Sequence, residues 1–546
     1  MIMTSAPKSR PLWIAISAIF VPLFVLGVVE GCLRLAGVGY PTALFTPCTV
    51  QGKPASCYNL FFAAPFFPAG SVQTPRLYSI PAQKPPGTYR IVVLGESAAM
   101  GDPDPSYGFS RYLEVMLRER FPAIKFEVVN TGSVAINSHV VLRIAQQLAD
   151  QRPDLFIIYS GNNEVVGPYG PGTVLTSSGM SIPVIRSSIF LRSTRVGQLV
   201  TRLGTQKRTW QGMEMFLDKQ IRASSPLMQQ VYANYERNLR DTITVARAAG
   251  AQVIVATAAS SLQDCAPFAS LHRDGIKPEE VNDWSSLVQR GNELEAARSF
   301  SEALELYRSA AKIDNEYAEL EFRIARCLKS LGDTKSANEH FQRARDLDTL
   351  RFRADTRIND INRSVLAAYT GVGLADTESL FSSASRDGIV GSDLIYEHVH
   401  MTPLGSYLFA RAIYGEVAGK LAGGPVADAP SQTECERMLA LTAFDRSRIA
   451  QEMLRRIQRA PFTQQLNHAE QVQRFQLQAE SMSETPNDTA LQYQWAIARA
   501  PQDAMLRYNF GMFLFAYNRA AAAEQLAMAQ PWDGFPVFLP DGTQIR

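Results

Sequence analysis

Residues 91–101, IVVLGESAAMG, constrain the fold of this chain more than any other stretch. The apolar residues 91–94 predict a short strand that is buried on both faces and that ends at Gly95. Small residues after Ser97 can begin a helix, so the Ser97 hydroxyl would lie at a helix N-terminus, where backbone N–H groups favour negative charge. A serine here is also a common helix N-cap, so this stretch alone does not make Ser97 a nucleophile.

An alternation of short apolar runs and amphipathic segments follows residue 88. We predict further strands at residues 126–129, 155–159, 253–256 and 371–375, with helices between them. Such alternation predicts a parallel sheet covered by helices on both faces, with the functional site at the carboxyl ends of the strands. Residues 165–224, which are rich in glycine and serine, are predicted to form a long loop or lid.

The N-terminal region predicts a membrane anchor. Residues 12–29 form an uncharged run of 18 residues that follows Lys8 and Arg10. In a helix this run reaches about 27 Å, close to the roughly 30 Å of a bilayer core. The preceding basic residues predict that the N-terminus lies in the cytoplasm and the rest of the chain outside. We expect an uncleaved anchor, and a cleaved signal peptide is the alternative.

The net charge and the cysteine spacing of the chain give no indication of nucleic-acid or metal binding. Lysine and arginine number 54 against 52 aspartate and glutamate residues, and no basic run indicates nucleic acid. The six cysteines show neither CxxC nor metal-ligand spacing, so we expect no metal and no cofactor. Cys48 and Cys57 could close a short disulfide loop in an oxidising compartment, or both could remain free thiols.

A 34-residue period begins near residue 278. The matching positions are Gly291 and Ala325, Ala303 and Ala337, Tyr307 and Phe341, and Ala310 and Ala344. This period resembles the tetratricopeptide repeat (TPR), in which antiparallel helices pack closely where small residues allow it. Similar spacing after Gly511 predicts another such unit near the C-terminus, and residues 531–546 are expected to be poorly packed.

Four short blocks, in order along the chain, resemble the sequence blocks of the SGNH (GDSL-like) hydrolases. GESAAMG contains Ser97, NTG contains Gly132, GNNE contains Asn163, and EHVH contains Glu397 and His400. The resemblance covers residues 88–164, 225–273 and 351–420, and the arrangement resembles that of bacterial membrane-anchored members that carry TPR units. It implies an α/β fold of the SGNH-hydrolase (flavodoxin-like) type, a three-layer parallel sheet with an inserted helical TPR-like segment and a C-terminal helical TPR-like region.

The resemblance also implies a role for each of these residues. Ser97 would be the nucleophile, His400 the base that takes its proton, and Glu397 the acid that holds His400. The backbone N–H groups of Ser97 and Gly132, with the side-chain amide of Asn163, would form an oxyanion hole.

Three glutamates, Glu96, Glu164 and Glu397, stand where the family usually has aspartate. The longer side chain of Glu397 displaces its carboxylate, so Asp393 remains an alternative acid. His398 is the alternative base, although the sequence that follows fits the family better when His400 is aligned.

These observations divide the chain into six regions. They are a cytoplasmic tail and transmembrane anchor (1–37), an irregular lead-in (38–87), the first part of the hydrolase domain (88–278), the TPR-like insertion (279–350), the second part of the hydrolase domain (351–424), and the C-terminal helical TPR-like region (425–546).

The sequence therefore predicts a membrane-anchored serine esterase that hydrolyses an acyl ester through an acyl-serine intermediate. We expect it in the bacterial inner membrane, facing the periplasm, with a small acyl ester or an envelope glycan or lipid as substrate. The TPR-like helices could bind a protein partner. One alternative is an O-acyltransferase that acts on envelope glycans with the same triad, and another is a non-catalytic TPR scaffold.

Overall fold

The N-terminal region contains one helix and a small antiparallel sheet. In the computed structural model, which describes residues 12–68, 70–71, 77–176, 178–204, 209–422, 427–480 and 484–545, the helix is α1 (Leu12–Leu35) and the strands are β1 (Phe45–Val50), β2 (Lys53–Tyr58) and β3 (Ser79–Pro81). No helix within these ranges combines the length and the hydropathy that a bilayer crossing requires. Lys8, Arg10 and the predicted boundary between residues 424 and 425 lie outside the described residues.

The lead-in is more regular than the sequence analysis expected. Gln51 and Gly52 both have positive φ, which is the backbone of a tight two-residue hairpin turn between β1 and β2. Cys48 and Cys57 form a disulfide across this hairpin. The irregular lead-in was therefore a wrong expectation for residues 45–58, because the prolines in both strands concealed a turn and a cross-strand bond.

Five parallel strands form the central sheet, in the spatial order β5-β4-β6-β7-β8. Their bounds are β4 (Thr88–Gly95), β5 (Lys125–Asn130), β6 (Leu155–Tyr159), β7 (Gln252–Ala256) and β8 (Val372–Ala375). Numbered by their own order in the chain, these strands run 2-1-3-4-5, which is the flavodoxin-like order. Because β4 lies between β5 and β6, the loops after these three strands meet at one edge. The predicted parallel α/β sheet is confirmed.

Helices cover both faces of the sheet and form the insertion. They are α2 (Ser97–Met100), α3 (Phe109–Arg120), α4 (Ser138–Leu148), α5 (Ile182–Ser193), α6 (Arg195–Gly204), α7 (Pro226–Ala248), α8 (Pro278–Ala296), α9 (Phe300–Ile313), α10 (Ala318–Ser330), α11 (Thr334–Leu347), α12 (Thr356–Ala367), α13 (Thr377–Ala384) and α14 (Pro403–Ala422). Helices α3 and α14 pack together on one face, and α4, α7 and α12 pack on the other.

Helices α5 and α6 lie in the interval that was expected to be a loop or lid. The expectation rested on the glycines and serines at 167–181, but Ser181 and Pro183 then begin a helix whose apolar Ile185 is buried. The glycine- and serine-rich residues are thus confined to the segment that precedes α5.

The insertion contains two consecutive helix pairs, α8 with α9 and α10 with α11. The small residues of the 34-residue period are buried where the helices meet, and a Cβ at Gly291 would lie 2.5 Å from Cε1 of Tyr307. Leu262 and Ile389 of the α/β part belong to the same apolar cluster. The insertion therefore shares a core with the sheet-bearing part of the chain.

The C-terminal region consists of helices and a short hairpin. Its elements are α15 (Gln432–Met438), α16 (Ala443–Ile457), α17 (His468–Glu480), α18 (Pro486–Arg499), α19 (Ala504–Leu514), α20 (Arg519–Met528), β9 (Val537–Phe538) and β10 (Gln544–Ile545).

Asp533, in the tail that was expected to be poorly packed, is exposed but is held by hydrogen bonds. Its carboxylate accepts the backbone N–H groups of Gln51 and Gly52, each at 2.9 Å. Nearby, the Ser79 hydroxyl donates to the carbonyl oxygen of Pro531 at 3.0 Å. These bonds join the tail to the β1–β2 turn and to β3.

Candidate active site

Ser97 is the first residue of α2 and follows directly from β4. A Cβ at Gly95 would lie 2.0 Å from the carbonyl oxygen of Tyr159, so only glycine allows β4 to end this close to β6. The Oγ atom of Ser97 lies 2.8 Å from Nε2 of His400. This distance suits transfer of the hydroxyl proton to the imidazole.

Glu397 contacts the other ring nitrogen of His400. Its Oε1 atom is hydrogen-bonded to Nδ1 of His400. Its Oε2 atom accepts the backbone N–H groups of His398 at 2.6 Å, Val399 at 3.1 Å and His400 at 3.2 Å. The side chain is fully buried, so these bonds fix both the carboxylate and the imidazole that it contacts.

Charge interactions outweigh burial at both groups of this pair. Burial favours the neutral carboxyl group, but the charges of His400 and His398 hold the pKa of Glu397 well below its usual range. Burial likewise opposes protonation of His400, but the carboxylates of Glu397 and Asp102 raise the pKa of His400 above its ordinary value. Glu397 is therefore ionised, and His400 is a stronger base than an ordinary histidine.

The two alternatives for the acid and the base lie in different surroundings. Asp393 is exposed and is not among the carboxylates within 4.0 Å of His400, which are Glu397 and Asp102. The ring of His398 lies edge-on to the rings of Phe268 and Phe462, with centroids 5.5 and 5.8 Å away. Burial lowers the pKa of His398, and its ring packs in an aromatic cluster.

The predicted oxyanion-hole residues lie on the loops after β5 and β6. A Cβ at Gly132 would lie 2.4 Å from the backbone nitrogen of Met100, so this loop packs directly on α2. The N–H of Gly132 donates to Oδ1 of Asn130 at 2.9 Å, and Nδ2 of Asn163 donates to the carbonyl oxygen of Ile136 at 3.1 Å. The side-chain amide of Asn163 retains a second N–H for a ligand. The N–H of Gly132 would have to break its bond to Asn130 before it could bind an oxyanion.

Glu96 and Glu164 hold the loops around Ser97 in place. Both oxygens of Glu96 accept backbone N–H groups from the β6 loop, Gly161 at 3.1 Å and Asn162 at 2.9 Å. Burial and the nearby Glu164 raise the pKa of Glu96 to about 8. Glu164 accepts both the N–H and the hydroxyl of Ser138, and burial raises its pKa to about 7. Neither carboxylate has a direct contact with Ser97.

Asp102 and Arg456 belong to the site, although the sequence analysis assigned neither. Oδ2 of Asp102 lies 3.1 Å from Nε2 of His400, on the same side of the ring as Ser97. Arg456, from α16, binds this carboxylate with Nη1 at 2.6 Å and Nη2 at 3.2 Å. Asp102 immediately follows the GESAAMG block and could have been noticed there. Arg456 has no motif, because it lies on an ordinary amphipathic helix 354 residues later.

Glu397, His398 and His400 also bring three possible ligand atoms within 4.8 Å of one another. In the described part of the chain they are the one such group. The expectation that the protein needs neither metal nor cofactor stays a prediction.

The sequence matches no family model and no curated protein. The structure is similar to that of an alpha/beta hydrolase enzyme from the metagenome of Lake Arreo in Spain, with 14% identity, a TM-score of 0.29, and coverage of 60% of this chain and 94% of the other. A lipase/acylhydrolase from Enterococcus faecalis gives 11% identity, a TM-score of 0.28, and coverage of 63% and 100%.

A GDSL-like lipase from Bacteroides thetaiotaomicron gives 10% identity, a TM-score of 0.27, and coverage of 62% of this chain and 92% of the other. These structures carry names from the class of enzyme that the sequence predicts, ester-bond hydrolases. TM-scores this low do not establish a shared fold, so the flavodoxin-like order rests on the strand pairing described above.

Proposed function

We propose that this chain is an SGNH-type serine esterase. The observation that carries the proposal is the distance of 2.8 Å between Ser97 Oγ and His400 Nε2, with the Glu397 carboxylate on the far side of the same ring. A weakly acidic hydroxyl becomes a nucleophile when a positioned base removes its proton, and a buried carboxylate stabilises the imidazolium that results.

The reaction would proceed in two halves. His400 takes the Ser97 proton as Oγ attacks the ester carbonyl, and the tetrahedral intermediate collapses when His400 returns this proton to the departing alcohol oxygen. Water then attacks the acyl-serine, with His400 as base, and releases the acid and the free serine. The second N–H of Asn163 is the donor best supported for the oxyanion, since its first is used by Ile136.

The burial of the triad supports a second candidate, transfer of the acyl group to a glycan hydroxyl. Glu397 is 0% exposed and His400 is 5% exposed, and Asp102, which is held by Arg456, lies 3.1 Å from Nε2 of the ring. A site that limits access of water favours an acceptor that is bound over one that diffuses in. The helical insertion could present the acceptor or a donor protein.

We further propose that α1 anchors the protein in the bacterial inner membrane, with the sheet-bearing part facing the periplasm. Phe24 of α1 is 73% exposed, and the disulfide between Cys48 and Cys57 suits an oxidising compartment. Retention of the protein in membranes after alkaline carbonate extraction, with protease access only in spheroplasts, is the expected result.

Labelling of the full chain with a fluorophosphonate serine probe tests the esterase proposal. Labelling is expected in the wild type and lost in Ser97→Ala and in His400→Ala, while Ser379→Ala, an exposed serine on α13, labels normally. Label that survives in Ser97→Ala, or a folded wild type that does not label, would contradict the proposal and favour a scaffold. Comparing free acid with acylated glycan as products separates hydrolysis from transfer.

A further inference from the structure

Helices α5 and α6 lie in a segment whose charged residues are all basic. Residues 165–213 contain no aspartate or glutamate, and their basic residues are Arg186, Arg192, Arg195, Arg202, Lys207 and Arg208. Arg186 is paired with Asp241 of α7 at 2.5 Å. Arg192 contacts the carbonyl oxygen of Phe67, and Arg202 lies over the ring of Tyr40, both of which are neutral groups. The charges of Arg192 and Arg202 are therefore available to an anionic partner.

The same two helices expose apolar side chains. Phe190 is 69% exposed and Val200 is 64% exposed, and three further residues of the pair are exposed as well. We call these residues the α5–α6 surface: Val184, Phe190, Leu191, Leu199 and Val200. In the described part of the chain, Arg192 and Arg202 pair with no carboxylate. Five large apolar side chains beside such guanidinium groups are typical of helices that lie in the interface of an anionic bilayer.

The α5–α6 surface lies beside the end of α1. Glu30 of α1 accepts the backbone N–H of Val196 at 3.0 Å. The side-chain amide of Gln198 bonds both the N–H and the carbonyl oxygen of Tyr40, at 3.0 and 2.9 Å. The exposed apolar face of α1, which includes Phe24, thus continues towards the apolar residues of α5 and α6.

We propose that the α5–α6 surface binds the surface of a bilayer that contains anionic lipid. The apolar side chains enter the boundary between headgroups and acyl chains, and Arg192 and Arg202 contact lipid phosphates. The contact is distinct from the anchoring proposed for α1, because it holds a second point of the chain against the same bilayer. It does not depend on the esterase activity.

This contact would also set the position of the active site. The hydroxyl of Ser188 on α5 lies 3.4 Å from the hydroxyl of Tyr169. Tyr169 belongs to the loop that begins at Asn163, where Gly167 donates its N–H to the Asn163 carbonyl oxygen at 2.7 Å. One short loop therefore joins the lipid contact to the proposed oxyanion donor, which keeps the site at a fixed height above the bilayer.

Depth-dependent quenching of a fluorophore in the full chain tests the proposal. The background is Cys32→Ser, since Cys32 is the exposed free cysteine and the other free ones, Cys265, Cys327 and Cys435, are buried. A label is attached at Phe190→Cys or, as the matched control, at Lys335→Cys on α11, which is also exposed. Both proteins are reconstituted in vesicles of phosphatidylcholine and phosphatidylglycerol with doxyl-labelled lipid.

Quenching at position 190 is expected to be at least twofold that at position 335. Quenching at position 190 should fall towards the value at position 335 when Arg192→Glu and Arg202→Glu are combined in one protein. Equal quenching at the two positions would overturn the proposal. So would shielding of position 190 that depends on protein concentration and not on doxyl lipid, since a second copy of the chain would then cover this surface.

Discussion

Arg456 binds Asp102 through both guanidinium Nη atoms, and the bound carboxylate lies 3.1 Å from the Nε2 atom of His400. A residue of the C-terminal helices thereby reaches the proposed base through Asp102 and also directly, since Nη1 of Arg456 lies 3.4 Å from Nδ1 of His400. The charged groups that face His400 are therefore Glu397 and Arg456 at Nδ1 and Asp102 at Nε2. His398 lies beside Glu397, with its Nδ1 3.3 Å from Oε1 of that residue. Because burial strengthens such interactions, the pKa of His400 depends on this arrangement.

Removal of Arg456 should shift the activity profile to higher pH. The positive charge of Arg456 opposes protonation of His400, so Arg456→Ala leaves two carboxylates less compensated and raises the pKa of His400 further. The acidic limb of the kcat/KM profile is expected to move upward by about one pH unit. Asp102→Asn should move the same limb downward, because it removes a charge that raises this pKa.

Arg455→Ala is the matched control for Arg456→Ala, since Arg455 is an exposed neighbour that pairs with Glu452. Its profile should equal that of the wild type. Two profiles that shift in the same direction for Arg456→Ala and Asp102→Asn would contradict the electrostatic explanation.

Glu397→Gln should lower kcat/KM by about 10³-fold or more with little change in KM. The amide keeps the shape of the side chain but cannot stabilise an imidazolium, and it can force the wrong tautomer on His400. Asp393→Asn serves as the control, and hydrolysis of a short acyl ester is the measurement. A large loss in Asp393→Asn with little change in Glu397→Gln would assign the acid to Asp393 instead.

Glu164 should make the folded chain less stable as the pH rises. Burial raises its pKa from 4.5 to about 7, so the unfolded chain loses this proton before the folded chain does. The contribution to stability is fully present below pH 4.5 and is lost as the pH rises through about 7. The slope between these values is about 1.4 kcal/mol per pH unit for one group.

Glu164→Gln should therefore flatten the fall of the thermal midpoint between pH 5 and pH 8. The amide can still accept the Ser138 N–H and can donate to the Ser138 hydroxyl. The exposed Glu302→Gln is the control and should keep the wild-type slope. Parallel melting curves for Glu164→Gln and wild type across this range would show that Glu164 is ionised in the folded chain.

Gly291→Ala should destabilise the insertion by about 1–3 kcal/mol. The new Cβ would lie 2.5 Å from the Tyr307 ring, whose hydroxyl is fixed by Asn292 at 2.9 Å and Glu295 at 2.7 Å. Gly415→Ala is the same change at a helical position with open space, where a small gain in stability is expected. Hydrogen exchange of the α8 and α9 amides is measured in both variants. Equal protection of these two helices in Gly291→Ala and Gly415→Ala would refute the close contact.

Much of the α/β part could be predicted because its signals are local. The strand of residues 155–159 is an uninterrupted apolar run, and the residues after it are small or carry amides. Ser97 and Gly132 also follow predicted strands, so a parallel sheet was enough to bring them to one edge. Glu397 and His400 could be paired in advance because only two residues separate them.

The rest depends on contacts that leave no local pattern. The contact between Arg456 and Asp102 spans 354 residues, and one arginine on a solvated helix resembles any other. The bond from Gly132 to Asn130 could not be foreseen either, because the sequence does not say which acceptor an N–H will choose. In the lead-in, the proline-rich composition predicted irregular structure, and the hairpin that the Cys48–Cys57 disulfide crosses was not predicted.

The bond between Asp533 and Gln51 links positions 482 residues apart. Translation proceeds from the N-terminus, so the β1–β2 turn is made long before its acceptor exists. Arg456 likewise reaches Asp102 only after most of the chain has emerged. A nascent chain thus contains Ser97 before the residues that complete its surroundings have been made.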